Sequence, residues 1–142
     1  MKDIMLKIEG SPAGSPEEAI EFVTEGKLSS RGNTTVIKYE ESPLAGMEGC
    51  TTYLTISPKK VKLKRTGEMF PIPTVMEFEE GKRFTGMYET QFGAVGMEIL
   101  TNRINQGPEV CGESKLSIDY SLSLKGLTES RNKLDITIRN KQ

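Results

Sequence analysis

The sequence predicts an all-β fold, an antiparallel meander of about eight to ten strands closed or nearly closed into a barrel. Three observations carry this. Apolar residues recur with period two, most cleanly in Leu116-Ser117-Ile118-Asp119-Tyr120-Ser121-Leu122-Ser123-Leu124, where every even position is apolar and every odd one polar. Successive strand side chains point to opposite faces, so this segment has one core face and one wet face. No stretch holds a 3.6-residue period for long. Finally, Gly, Pro, Asn or Ser punctuates most junctions, as at Gly32-Asn33, Ser57-Pro58, Gly81, Gly93 and Gly107-Pro108, which leaves short connections.

In chain order, Ile4/Leu6/Ile8 makes the first strand, and Ser11-Pro12-Ala13-Gly14-Ser15-Pro16 a loop after it. The next segment carries two signals. Ser15-Pro16-Glu17-Glu18 supplies an N-cap serine, a proline at the first helical position and early acids, with Gly26 as a stop. Against that, Ile20/Phe22/Thr24 alternates and Val23-Thr24 is β-branched, which favours a strand. Further strands follow at Ile37/Tyr39, Leu54/Ile56, Val61/Leu63, Met76/Phe78, Phe84/Tyr88/Phe92 and Val95/Met97/Ile99. The Leu116–Leu124 run would span about 30 Å as a strand. Leu134-Asp135-Ile136-Thr137-Ile138-Arg139 repeats its pattern after a polar turn region around Gly126 and Ser130-Arg131-Asn132, so the two read as a terminal hairpin. With 142 residues and no internal repeat or linker, residues 1–142 read as a single domain.

Composition removes several function classes. Nineteen basic and twenty acidic side chains leave a net charge of −1, which gives no general attraction for nucleic acid or anionic lipid. There is no histidine. That excludes Ser-His-Asp and Cys-His catalysis and His-containing zinc sites. Cys50 and Cys111 lie far apart without CxxC spacing, so the expectation is two free thiols in a reducing cytoplasm, with a Cys50–Cys111 disulfide as the alternative. Met1-Lys2-Asp3-Ile4-Met5-Leu6-Lys7 is no signal peptide, and nothing approaches a membrane-spanning apolar run. Neither a cofactor nor a metal is expected.

From Glu18 onward the order of residues resembles the YwiB-like family of bacterial proteins. The pieces that carry the resemblance are Phe22…Thr24-Glu25-Gly26, Tyr39-Glu40-Glu41, Thr52…Ile56, Val61…Leu63…Arg65…Gly67, Phe78…Gly81, Tyr88…Phe92-Gly93, Thr101…Ile104 and Leu116-Ser117-Ile118-Asp119-Tyr120. They cover most of the chain. The resemblance implies a calycin-like (lipocalin-like) β-barrel and, by analogy, a lumen able to hold a ligand. It implies no activity, and a shared fold does not transfer one.

The informative positions are charges on faces that should point inward. Arg65 falls in line with Val61 and Leu63, whereas Lys62 and Lys64 share the opposite face. Glu41 falls in line with Ile37 and Tyr39. Burying an unpaired charge is costly, so Arg65 and Glu41 are expected to meet, either as a closed ion pair or as a ligand site. In the ligand reading Arg65 anchors a carboxylate or phosphate, its planar fork donating two parallel hydrogen bonds, and the ligand's apolar part lies among Tyr39, Tyr88 and Phe92. Lys59, Lys60, Lys62 and Lys64 read as a solvated strand face. Gly93-Ala94-Val95-Gly96 lacks the helix of a dinucleotide fingerprint. Glu77, Glu79, Glu80 and Glu89 sit in charged surroundings that do not suit paired catalytic acids. The leading function is thus non-enzymatic binding of a small, partly apolar ligand in the barrel lumen. The alternative is an interaction or structural module, homodimeric, with a filled barrel. An enzyme using carboxylates or Tyr at the mouth ranks third.

Overall fold

The computed structural model describes residues 2–12, 20–40, 50–67, 70–90, 93–107, 111–125 and 128–140. Its elements are β1 (Lys2–Pro12), β2 (Ile20–Arg31), β3 (Thr34–Glu40), β4 (Cys50–Ile56), β5 (Lys60–Gly67), β6 (Phe70–Glu79), β7 (Arg83–Thr90), β8 (Gly93–Gln106), β9 (Glu113–Leu124) and β10 (Thr128–Asn140). Each contains the alternating pair or run expected of it, except that of Phe84/Tyr88/Phe92 only Phe84 and Tyr88 fall in β7 and Phe92 lies outside the described residues. The ambiguous segment is a strand from Ile20 onward, while Ser15 to Ala19 lie outside the described residues. Two boundaries differ. Ser11 and Pro12, expected in a loop, are the last residues of β1, opposite Lys133 and Asn132 of β10. Ser130-Arg131-Asn132 belong to β10 rather than to a turn, with Ser130 opposite Leu122 and Asn132 opposite Tyr120. Polar residues here occupy inward positions of a strand, where the sequence pattern reads as a break.

The ten strands form one antiparallel sheet in the order β6-β5-β4-β3-β2-β1-β10-β9-β8-β7. All ladders but one join chain neighbours. The exception is β1 with β10, so that Leu6 stands between Thr24 of β2 and Ile138 of β10. That pairing rolls the sheet into a barrel. The two sheet ends, β6 and β7, touch without a ladder among the described residues, leaving a seam in a nearly closed wall. Pro71 and Pro73 lie in β6. Proline donates no N–H, and an edge strand is where that loss is tolerated.

The seam is fastened at one end by the turn that joins its two strands. Lys82 N–H donates to the Glu79 carbonyl (2.9 Å), and Gly81, at φ +77°, occupies the third turn position, where a positive φ is needed. The same turn docks on β8, with Gly81 N–H donating to the Thr101 carbonyl (2.9 Å) and Thr101 N–H donating to the Lys82 carbonyl (3.3 Å). The register of β8 on β9 shifts between Thr101 and Arg103 at this point.

The even-numbered side chains of β1, β4, β6 and β9 and the odd-numbered ones of β3 and β5 fill the interior. Ile4, Leu6, Ile37, Leu54, Val61, Phe78, Ile99 and Ile118 are all at most 1% exposed and form a belt across the barrel. Burying each such side chain stabilises by about 1.5–3 kcal/mol. Gly26 makes room for this belt, since a Cβ there would sit 3.0 Å from both Leu6 Cδ1 and the Lys38 carbonyl oxygen. The outer face is polar and cross-linked by ion pairs, among them Lys27–Asp3, Lys60–Glu77 and Arg139–Glu113. The lysines of β5 are part of that solvated face, as their spacing suggests. Cys50 is buried, Cys111 is exposed, and both are free. No helix among the described residues is long and apolar enough to cross a membrane.

Candidate functional site

The barrel has two ends. Arg31, Thr34, Ile56, Lys60, Glu79 and Arg83 end or begin their strands at the first, and Glu40, Cys50, Gly67, Phe70, Thr90 and Gly93 at the second. Toward the second end the interior changes from aliphatic to polar. Tyr39, Thr52, Arg65 and Thr74 are register partners in succession across β3, β4, β5 and β6. Because directly opposed residues share a face, these four form a lateral row of polar groups on the lumenal wall. Thr52 is fully buried, and Tyr39 and Thr74 are 5% and 6% exposed. Arg65 therefore takes the inward position that its alignment with Val61 and Leu63 predicts.

A cavity of about 230 Å³ lies against this row. Arg65 and Tyr39 line it on one side, with Leu63 and Met76; Tyr120, Leu122, Leu134 and Ile136 line the opposite wall. Phe22, Phe78 and Ile8 complete it. Phe78 and Tyr120 meet across the lumen edge to face at 5.1 Å, and Phe22 and Tyr39 stand tilted at 6.5 Å. Arg65 is the one charged residue among the described residues that line the cavity. Such a space takes in about seven waters at roughly 30 Å³ each, or a small organic molecule.

Two other depressions lie at the first end. One, of about 260 Å³, is bordered by Leu28, Thr35, Ile56, Ser114, Ile138 and Asn140. The other, of about 470 Å³, lies by the β4–β5 and β6–β7 turns, where Lys59 and Lys82 face Glu79 and Glu80. The first also has the exposed Lys2 and Lys115 on its border, and neither has a buried polar row like that of Tyr39, Thr52, Arg65 and Thr74. Among the described residues no cluster of three or more His, Cys, Asp or Glu side chains is placed to hold a metal ion.

Of the residues singled out from sequence, Arg65 and Tyr39 come together at this cavity. Tyr88 stands on β7 opposite Val95 of β8. Glu41 and Phe92 lie outside the described residues. Sequence reasoning missed Phe22, Phe78, Tyr120 and Met76 as cavity residues, and Thr52 and Thr74 as neighbours of Arg65. Their inward parity was readable; that they share one cavity depends on how the sheet closes.

Comparison with known proteins agrees with this architecture. The family described as "Domain of unknown function (DUF1934)" matches residues 6–136. No curated protein matches the chain. Among solved structures, the crystal structure of the ywiB protein from Bacillus subtilis is similar, with a TM-score of 0.71 at 22% identity, covering 99% of this chain and 91% of that one. At that identity the likeness speaks to the fold.

Proposed function

The chain belongs to the DUF1934 family, and we propose that this member is a non-enzymatic binding protein that holds a small, partly apolar anion in its barrel, with Arg65 as the anchor. The observation that carries this reading is an inward arginine on the wall of a 230 Å³ cavity whose other described lining residues are uncharged. Ligand sites combine an apolar lining with a few placed polar groups. Against an apolar lining, a charge-assisted hydrogen bond to the guanidinium is stronger than in open water. Thr52 and Thr74, both buried, are the register partners of Arg65 on the two adjacent strands. The calycin-like character of the barrel is part of the same proposal, as is a cytoplasmic location, which the two free thiols support.

Octanoate, with its single charge and aliphatic tail, is a suitable probe. Titration calorimetry should show saturable binding of octanoate to the wild-type chain and weaker binding of 1-octanol. Arg65→Met should weaken octanoate by about 1.5–3 kcal/mol, the range of a charged hydrogen bond, with Arg65→Lys in between. Binding that is unchanged in Arg65→Met, or equal for the acid and the alcohol, refutes Arg65 as the anchor.

A further inference from the structure

We infer that the lumen selects a planar aromatic monocarboxylate over an aliphatic acid of the same size, an inference that rests on the binding reading above. Arg65 is the charged residue among the described residues that line the cavity, and one such side chain suits one carboxylate group. A carboxylate matches the planar fork of Arg65, which donates two parallel hydrogen bonds in one plane. The shape of the remaining space comes from rings. Phe78 and Tyr120 are locked edge to face, 5.1 Å apart at 65°, and Phe22 and Tyr39 are 6.5 Å apart at 48°.

All four of these rings belong to residues that line the same cavity. A third ring can add to such an array edge to face or offset, whereas a puckered or extended chain gains only contact area. Rigidity counts as well, because an aromatic acid has almost no torsional freedom to lose on entering, whereas a flexible chain must be ordered. Met76, which also lines the space, gives a polarizable thioether that favours a ring edge. The volume restricts the ligand to one ring or a small fused pair.

Benzoate and cyclohexanecarboxylate test this directly, since they share charge and heavy-atom count and differ in planarity and π character. Calorimetric titration of the wild-type chain should give benzoate a Kd at least tenfold below that of cyclohexanecarboxylate, with octanoate also weaker than benzoate. Phe78→Leu and, separately, Phe22→Leu should erase most of the benzoate preference while leaving cyclohexanecarboxylate within about threefold. Equal affinity for the two cyclic acids, or tighter binding of octanoate, overturns the aromatic selectivity and leaves the binding reading standing. Failure of all three acids to bind the wild-type chain overturns both.

Discussion

At the scale of single residues, two inward positions do opposite things with space. Gly26 surrenders its side chain so that Leu6 and the β3 backbone can close on it. One of the two atoms at 3.0 Å is a carbonyl oxygen of the sheet, which cannot swing aside. Gly26→Ala should therefore destabilise by about 1–3 kcal/mol through overpacking. Gly10, on β1, has nothing within 4 Å of a built Cβ, so Gly10→Ala should be neutral or stabilise by up to about 1 kcal/mol. Chemical denaturation of the two variants compares them, and equal losses would refute the packing argument. Arg65 is the other case, a large polar side chain kept where an aliphatic one would fill the space. Its orientation was legible from sequence because one row, Val61-Lys62-Leu63-Lys64-Arg65, shows both faces of a strand at once. The aromatic walls around it were not. Phe22, Phe78 and Tyr120 each read as ordinary core, and only the closed sheet brings them to one place.

At the scale of elements, β9 shows why the strands were so readable. Its inward Leu116 and Ile118 are buried, at 2% and 0% exposure, and Tyr120, Leu122 and Leu124 pack against the core. Ile118→Ala should cost about 2–5 kcal/mol, and Ser123→Ala on the outer face less than about 0.5 kcal/mol. Comparable melting temperatures for the two would contradict the assignment of faces. Ser117 is not an equally idle position, because its hydroxyl donates to Asp135 of β10 at 2.6 Å. The outer face also holds the strand pair's clearest pH device. Arg131 donates from Nε and Nη2 to the two carboxylate oxygens of Asp119, at 3.0 and 2.9 Å. That hydrogen bonding, with a further one from Asn102, holds the Asp119 carboxyl below its usual range against the opposing effect of burial. A depressed folded-state pKa means the contribution is present above the unfolded value of about 3.9 and is lost as pH falls through the folded one. Asp119→Asn should thus lower stability at pH 7 and flatten its decline below about pH 4. A decline as steep as wild type's would show that other carboxylates govern the acid limb. Where β10 begins was less legible, because Ser130 and Asn132 place polar side chains on an inward face.

At the scale of the whole molecule, alternation and short turns suffice to name an antiparallel meander, but they do not say where the wall stays open. The seam lies between consecutive strands, where a hairpin ladder would be the default, and Pro71 and Pro73 are the only local sign of it in the sequence. The closing ladder, by contrast, joins the two strands farthest apart in the chain. This separation bears on how fast the protein folds. Eight of the nine ladders in the sheet order join sequence neighbours and can form as local hairpins, while β1 with β10 must wait for a loop of nearly the whole chain to close. Non-local pairing of this kind slows folding. Ile4 and Asn140 are register partners, so a short linker can join β10 to β1, and new chain ends can be opened at Glu80-Gly81 in the seam. In that permuted chain the order of strands along the polypeptide equals their order in the sheet, and every ladder becomes local. Stopped-flow refolding should find the permutant faster than the parent, and slower refolding would place the rate-limiting step elsewhere. The unladdered seam is thus the one place where the polypeptide can be cut without dividing a hairpin ladder, and the cut turns the barrel's slowest pairing into one of its fastest.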